Sequence, residues 1–206
     1  MMDWSAFSLS IQLALSTLLV LLPIGLVSGR WLARTQFKGR TWIEAAILLP
    51  LVLPPTVMGY YLLVAVGGGS QVGQWLQSTF GITLTFNFAG LLLASVLFNI
   101  PFMLQPIQRA FESIPHNLNE AAQVSGLSTW AIFIKVELPL AWPGILSAMV
   151  LTFVHTLGEF GVVLMIGGSI PGETRTLAIS IYDSVQSFDL DAANTMSLAL
   201  LMFSLV

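Results

Sequence analysis

Two residues have types and spacing that could do chemistry inside an apolar segment, His155 and Glu159. On a helix their i,i+4 spacing would place both side chains on one face. Each would cost about 2–3 kcal/mol if it pointed at lipid, so we expect both to face a bundle interior or another subunit. Gly158 and Gly161 flank the glutamate and would let a second backbone approach closely. The pattern fits a buried pair that stabilises packing, a gate or pathway, or a proton relay, although one pair is short for a relay across about 30 Å.

A second group of candidate pathway residues consists of prolines and an asparagine inside apolar segments. Pro54 and Pro55 end the sequence LPLVLPP, and Asn99 precedes Pro101 in the next apolar segment. Proline removes a backbone donor and kinks a helix, and lipid tolerates this only where protein or a watery cavity satisfies the freed carbonyl. Each place is therefore predicted to be either a packing kink or an interruption of a helix that lines a pathway.

The elements that must position these residues are membrane-spanning helices. Charged residues make up 8% of the 206 residues and hydrophobic residues 56%, whereas soluble domains carry about 25% charged residues. A helix needs about 20 apolar residues to cross a hydrocarbon core about 30 Å thick. The sequence thus predicts an all-α integral membrane protein with about five transmembrane helices, at residues 7–28, 43–66, 88–108, 143–166 and 192–206. The last stretch is short, so either the chain stops inside its last helix or that helix ends near the far interface.

The positions of lysine and arginine predict the orientation. Six of the seven basic residues lie within 30–40 and 109–135, and only Arg175 falls on the other side. This excess makes the first side cytoplasmic and places the N-terminus outside. The N-terminal MMDWSAFS lacks the basic region of a cleaved signal, so we expect the first helix to be retained. The chain has no cysteine, which excludes disulfides and thiolate-bound metals.

Two polar connections fall on the predicted outer side. Residues 67–86 open with three glycines and hold no charge, which favours a flexible connection over phosphate binding. Residues 169–191 are polar enough to leave the core. Apolar residues spaced between 179 and 188 predict an amphipathic helix there, lying across the mouth of any pathway.

The predicted cytoplasmic segment 109–142 is patterned more strongly than a linker. Pro115 suits a first helical turn, and Gly126 suits the C′ position that ends a helix. Ser128 can cap a second helix, which Pro139 would then end.

The first of these helices would have about ten residues, too few for stability alone in water. Ala121 and Ala122 would give it a slim face that a groove could accept. It is therefore either a docking helix that transmits push and pull or an interfacial helix that rests on lipid headgroups.

The same segment resembles the EAA loop of ABC importer permeases. The motif reads Glu120-Ala121-Ala122, three residues, Gly126, nine residues, Val136, one residue and Leu138-Pro139. Val136 stands where that family usually has isoleucine. In the family, the helix of this loop inserts into a cleft of a cytoplasmic ATPase and couples nucleotide-driven closure to opening of the permease. The residues to which the resemblance gives this coupling role are Glu120, Ala121, Ala122, Gly126, Leu138 and Pro139.

Longer motifs are similar to those of the molybdate permeases of the sulfate/molybdate group. They are LPLVLPPTVMGYYLL at 49–63, LGEFG at 157–161 and PGETRT at 171–176. LGEFG is shared with sulfate permeases, whereas LPLVLPP and PGETRT favour molybdate. The resemblance implies a type I ABC importer permease fold in the plasma (inner) membrane, with further residues after Val206. Its cargo would be molybdate or, as alternatives, sulfate or tungstate. The residues alone also permit a proton-coupled transporter that uses His155 and Glu159, or a non-transporting assembly factor.

The resemblance implies that ATP hydrolysis drives transport, and this determines which partners the chain would need. Neither Lys38 nor Lys135 completes GxxxxGK[ST], so the chain cannot hold ATP by a P-loop. An ATP-driven importer would therefore need two cytoplasmic ATPase subunits, which would bind the ATP and magnesium. The chain itself is expected to bind no cofactor, metal or nucleic acid and to be no enzyme.

Five helices are few for enclosing a watery path, which predicts a two-fold homodimer with the pathway on its axis. The resemblance implies an external oxyanion-binding protein that selects the anion and releases it at the outer mouth. Basic residues are scarce in the spans, which fits a weakly polar path that a dianion leaves as easily as it enters.

Overall fold

The computed structural model describes residues 2–205, and every regular element within that range is helical. The helices in chain order are α1 Trp4–Arg34, α2 Arg40–Val52, α3 Pro55–Val66, α4 Gln71–Phe80, α5 Phe88–Glu112, α6 His116–Val124, α7 Thr129–Ile132, α8 Leu138–Gly158, α9 Gly161–Gly167, α10 Leu177–Gln186 and α11 Leu190–Ser204. Within this range three helical stretches are long and apolar enough to cross a membrane, and α2 with α3 would form a fourth that is bent by 105°. The all-α membrane class is thus confirmed, with three or four candidate spans where the sequence predicts about five.

The longest helix, α1, packs along α5 through glycines. Asp3 starts the helix, since its Oδ1 accepts the Ala6 N–H at 3.0 Å. A Cβ placed on Gly29 would lie 2.8 Å from Ile107 Cγ2 and 3.3 Å from the backbone N of Gln108. Small residues therefore set how closely the two helices approach.

The core consists of two apolar clusters that follow one another along α1 and α5. One cluster includes Leu13, Leu91 and Val163, and so joins α1 and α5 to α9. The other includes Leu21 and Ile145, and so joins the same two helices to α8. Because α1 and α5 contribute to both clusters, they form the frame on which the remaining helices are placed.

An ion-pair cluster ties the start of α2 to the end of α5. Arg40 pairs with Glu44 at 2.8 Å and also with Glu112. The Gln108 amide donates to Glu44 Oε1 at 2.7 Å and to Glu112 Oε1 at 2.9 Å. Since α2 has no buried residue of its own, these polar contacts fix where it leaves the bundle.

Helix α10 corresponds to the amphipathic helix predicted near residues 179–188. Ser10 Oγ accepts the Leu177 N–H at 2.8 Å, and Ser180 Oγ donates to Asp3 Oδ2 at 3.2 Å. Burial raises the pKa of the Asp3 carboxyl, but hydrogen bonds, led by that from the Ala6 N–H, lower this pKa by more, so the net shift is downward. The start of α1 and helix α10 therefore hold one another in place.

The prediction that Pro139 ends the second helix of the segment 109–142 is wrong. Ser128 does cap α7, because its Oγ accepts the Ala131 N–H at 3.3 Å. The chain then continues into α8 through the π-helical turn Phe133–Glu137, in which Leu138 donates its N–H to the Phe133 carbonyl, five residues back. Pro139 occupies the first turn of α8, where a missing N–H is tolerated.

The helix boundaries also bear on two other parts of the chain. Helix α5 runs unbroken through Pro101, so of the two alternatives left open for Asn99 and Pro101, the interruption of the third span does not occur. The connection 67–86 is not wholly irregular, because it contains α4. Ser70 Oγ accepts the Gly73 N–H at 2.8 Å at the start of α4. Local capping signals therefore make a helix where the glycine run suggested a flexible loop.

We expect Gly29→Ala to destabilise the protein by about 1–3 kcal/mol, because the added methyl would overlap Ile107 and meet the backbone of α5. Thermal unfolding of the detergent-purified protein measures this. Gly68→Ala is the matched control, since nothing lies within 4 Å of a Cβ at that position. Equal unfolding temperatures for the two variants would contradict the close approach of α1 to α5.

Candidate functional site

Two helical spans are interrupted, and the interruptions pack against each other. The first lies between Val52 of α2 and Pro55 of α3, and the second lies between Gly158 of α8 and Gly161 of α9. A Cβ on Gly161 would lie 3.0 Å from Pro55 Cβ and 3.4 Å from Thr56 N. Candidate pathway residues from two distant motifs therefore meet at one place, which we call the break junction (residues 53–55 and 159–161).

The first interruption follows from the adjacent prolines. Neither Pro54 nor Pro55 has an N–H, so no donor is available to extend the α2 ladder through them. The Pro54 carbonyl instead accepts from the Val57 and Met58 N–H groups, at 3.0 and 3.1 Å, and so starts α3. Of the two sequence-based alternatives, the interrupted helix is the one present here.

The second interruption lies at Glu159 and Phe160. Glu159 has φ −67° and ψ 125°, and Phe160 has φ −123° and ψ −60°, so neither continues the helix. The expectation that His155 and Glu159 share one helical face is therefore wrong, because α8 ends between them. The two side chains nevertheless belong to one polar cluster.

Asn99 of α5 is the centre of this cluster. Its Nδ2 donates to the Ser95 carbonyl at 2.8 Å and to Glu159 Oε2 at 3.3 Å, and its Oδ1 lies 2.9 Å from His155 Nδ1. The Ser95 carbonyl can only accept, which fixes the amide orientation and turns Oδ1 towards the histidine. In this arrangement His155 Nδ1 carries a proton and donates it to Asn99.

The carboxylate of Glu159 is buried, with 4% of the residue exposed. Ser95 Oγ donates to Oε2 at 2.6 Å, while Oε1 is buried without a hydrogen-bond partner among the described residues. The cluster therefore ties α5 to the chain between α8 and α9. It also holds one unsatisfied oxygen atom, a rare and costly feature in a protein interior.

The amide of Asn99 separates His155 from Glu159. His155 stacks on Phe102, with ring centroids 3.9 Å apart, and lies 5.3 Å from the Phe98 ring. Because an amide has no readily exchanged acidic proton, a direct transfer between the histidine and the glutamate has no path here. The geometry favours a packing or gating role for this pair over a proton relay.

The two glycines beside Glu159 differ in their surroundings. Gly161 meets Pro55, as described above, whereas nothing lies within 4 Å of a Cβ at Gly158. Sequence reasoning missed Gly59 of α3, where a Cβ would lie 3.0 Å from the Val162 carbonyl. A glycine inside the apolar stretch MGYYLL was the available signal, since small residues mark close helix contacts in membranes.

Helices α6 and α7 form a hairpin at the end of the bundle that carries Arg30 and Arg109. Gly126 has φ +80°, which favours glycine. The Gly126 N–H donates to the Gln123 carbonyl at 2.9 Å and the Leu127 N–H to the Ala122 carbonyl at 3.1 Å. These two bonds form a Schellman motif with Gly126 at C′, where the sequence predicts it.

The remaining predicted coupling residues do not form one exposed face. Ala122 is 8% exposed and packs within the chain, whereas Glu120 and Ala121 are exposed. Consecutive helical residues point about 100° apart, and here that rotation turns Ala122 towards the bundle while Glu120 and Ala121 stay on the exposed side. Leu138 and Pro139 lie in the first turn of α8, outside the hairpin.

The comparisons with known proteins agree with this architecture. Residues 21–206 match the family described as binding-protein-dependent transport system inner membrane component. The fold also aligns with a bacterial ABC transporter involved in the import of the acidic polysaccharide alginate, with a TM-score of 0.80, 18% identity, and coverage of 98% of this chain and 74% of that one. The fold is thus that of an ABC transporter permease component. The chain belongs to the binding-protein-dependent transport system inner membrane component family and is a multi-pass inner-membrane protein.

Several relatives carry more specific names. The molybdenum transport system permease protein ModB of Azotobacter vinelandii is 45% identical over 98% of this chain and 89% of its own length. ModB of Haemophilus influenzae is 39% identical over 90% of this chain and 81% of its own length. The sulfate transport system permease protein CysT of Escherichia coli is 34% identical over 88% of this chain and 65% of its own length.

We expect Glu159→Ala to destabilise the protein by about 1–3 kcal/mol, because Ser95 Oγ and Asn99 Nδ2 would lose a buried acceptor. Glu159→Gln keeps an oxygen acceptor and should retain most of the stability. Thermal unfolding in detergent compares the two variants. Equal losses of stability in the two variants would contradict this account, because the negative charge and not the hydrogen-bond acceptor would then be what stabilises the protein.

Proposed function

We propose that this chain is the permease subunit of an ATP-driven, binding-protein-dependent importer of molybdate. The observation that carries the proposal is the 45% identity to a molybdenum transport permease, which extends over 98% of the chain. Both motifs of the break junction and the hairpin lie inside this range. Sulfate is the alternative cargo, supported by the lower identity of 34% to CysT, and tungstate is a second alternative of the same shape and charge.

The proposed orientation places the α6–α7 hairpin in the cytoplasm and the N-terminus outside. Arg30 and Arg34 contact Glu137 beside the hairpin, and Arg40 joins Arg109 through Glu112. These basic residues therefore gather at one end of the bundle, which favours that end as the cytoplasmic one. Arg175 lies apart from them, beside Asp183 at 3.6 Å.

The hairpin is proposed to dock onto a cytoplasmic ATPase, two copies of which would bind ATP and magnesium for the complex. Val124 is 90% exposed and Trp130 is 69% exposed, so the hairpin offers apolar side chains to a partner. The proposed coupling residues are those of the EAA-like motif, namely Glu120, Ala121, Ala122, Gly126, Leu138 and Pro139. The permease would bind no nucleotide and would not itself be an enzyme.

Movement of the hairpin would reach the break junction through a single element. The stretch Thr129–Gly158 is helical over 30 residues and ends at the second interruption. Helix α9 then contacts α3, since Gly161 meets Pro55. A shift of the hairpin would therefore move one side of the break junction directly, and we propose that this opens or closes the path. The pathway or gate candidates are Pro54, Pro55, Asn99, His155, Gly158, Glu159 and Gly161.

A second copy of the chain is proposed to complete the path. Helix α2 buries no residue within its own chain, and Leu49, Val52 and Tyr61 expose about half or more of their surface. These apolar faces require lipid or another subunit, and a two-fold dimer would cover part of them against the second copy beside a central path. An external binding protein would deliver the anion at the outer mouth.

The rival function is a proton-coupled transporter that uses His155 and Glu159. It needs no ATPase and would tolerate changes in the hairpin. The Asn99 amide between the two residues disfavours it.

We expect ATP hydrolysis by the assembled complex in liposomes to rise with molybdate-loaded binding protein. Gly126→Val should abolish both this stimulation and uptake while the dimer still assembles, because a β-branched residue is strained at φ +80°. ATPase assays, anion uptake and size-exclusion chromatography measure these effects, with Gly68→Ala as the control. No stimulation by any tetrahedral oxyanion would overturn the proposal, and uptake that survives Gly126→Val and follows the proton gradient would favour the rival.

A further inference from the structure

We propose that Glu137 is a positioning residue that connects the cytoplasmic hairpin to α1 and so transmits hairpin movement to the membrane helices. The inference rests on the proposed coupling function and adds to it a residue outside the EAA-like motif. It assigns Glu137 no contact with nucleotide or anion.

The carboxylate of Glu137 has partners on two separate elements. Arg30 Nε of α1 lies 2.5 Å from Oε2, and Arg34 Nη2, one turn further along α1, lies 3.2 Å from Oε1. Asn119 Nδ2 of α6 donates to Oε1 at 3.1 Å. With only 2% of Glu137 exposed, the group is a buried charge whose neutralisation depends on all these elements staying together.

Helix α6 has few other attachments. Ala122 is its one buried residue. Within residues 2–205 the Asn119–Glu137 bond is the only side-chain hydrogen bond that joins α6 to another helix or to the π-helical turn. A displacement of α6 therefore acts on the bundle chiefly through this bond and the packing of Ala122.

The other side of the connection is rigid. Arg30 stacks over Phe133 of the π-helical turn, with its guanidinium carbon 5.3 Å from the ring centroid. Arg30 and Arg34 belong to α1, which contributes to both apolar clusters of the core. A displacement of Glu137 therefore displaces α1 through the ion pairs and α8 through the π-helical turn.

The cluster also contains unpaired polar atoms that permit a second arrangement. Arg34 Nε and Nη2 and Asn119 Oδ1 are buried without hydrogen-bond partners among the described residues, so the contact of Arg34 Nη2 with Glu137 is an ion pair without hydrogen-bond geometry. Both side chains approach the same carboxylate oxygen. A donor and an acceptor left free beside one oxygen could pair if α6 shifted relative to α1, which would give the cluster the second hydrogen-bonding arrangement that a switching element requires.

The test uses the complete complex in liposomes, with its ATPase and its molybdate-loaded binding protein. Asn119→Ala removes the α6 contact and leaves both arginine ion pairs in place, and Glu137→Gln weakens all three contacts. We expect each variant to lower the number of anions transported per ATP hydrolysed by at least about 5-fold, the lower end of typical coupling effects. In the double variant the number of anions transported per ATP hydrolysed should fall no further than in the more strongly affected single variant, because both changes break the same connection.

Glu112→Gln is the matched control. Glu112 pairs with Arg40 and Arg109 at the same end of the bundle and has no hydrogen bond or ion pair to α6 among the described residues. It should keep the wild-type ratio of transport to hydrolysis even if its unfolding temperature falls. A loss of coupling in this variant equal to that of Asn119→Ala would overturn the special role of Glu137.

A purely structural role gives a different result. In that case Glu137→Gln would lower the unfolding temperature while Asn119→Ala transported with the wild-type ratio, and the inference would be overturned. If Glu137→Gln fails to assemble, Asn119→Ala alone decides. If loaded binding protein stimulates ATP hydrolysis by the wild-type complex and the variants keep the wild-type ratio of transport to hydrolysis, only this inference is overturned. If the wild-type complex shows no stimulation, the proposed function is overturned as well.

Discussion

Backbone groups freed by an interrupted helix cannot be left facing hydrocarbon, and the arrangement of this bundle depends on that constraint. The chain interrupts two apolar spans and packs the interruptions against each other, so that Gly161 meets Pro55. The second interruption is covered by protein, since Glu159 is buried, whereas residues 53–55 of the first remain exposed within this chain. The frame formed by α1 and α5 holds both in place, because the cluster around Leu13 and Val163 continues from α1 to α9.

The α6–α7 hairpin and the break junction lie at the two ends of one stretch of helix. A π-helical turn, where Leu138 donates to the Phe133 carbonyl, allows this continuity despite the following proline. A flexible linker at this point would absorb movement of the hairpin. A continuous helix transfers it, which would give the proposed permease a physical means of responding to the separate ATPase subunit that we propose as its partner.

Polar residues inside the bundle connect its helices through hydrogen bonds and ion pairs. Asn99 connects α5 to the chain beyond α8, and Glu137 connects α1 to the hairpin. The sequence predicted an interior location for Glu159, the partner of Asn99, since a charged group in an apolar span must avoid lipid. For Glu137 the only signal in the sequence was a pair of arginines, Arg30 and Arg34, one helical turn apart near the end of a span. Basic residues at that place are already expected from the orientation of the helix, so they did not predict an ion pair with Glu137.

The sequence by itself determined the features that local chemistry controls. Composition predicted the all-helical membrane class, and Gly126 and Ser128 predicted the end of α6 and the start of α7, because a positive φ and a capping hydroxyl act within one turn. Pro54-Pro55 marked a place where the helix had to kink or stop, because both residues lack a donor, and the structure decided that it stops. Only the tertiary structure decided that Gly161 meets Pro55, that Asn99 stands between His155 and Glu159, and that Pro139 continues a helix. These outcomes depend on which distant side chains packing brings within about 3 Å, the range of a hydrogen bond, and spacing along the chain does not encode that distance.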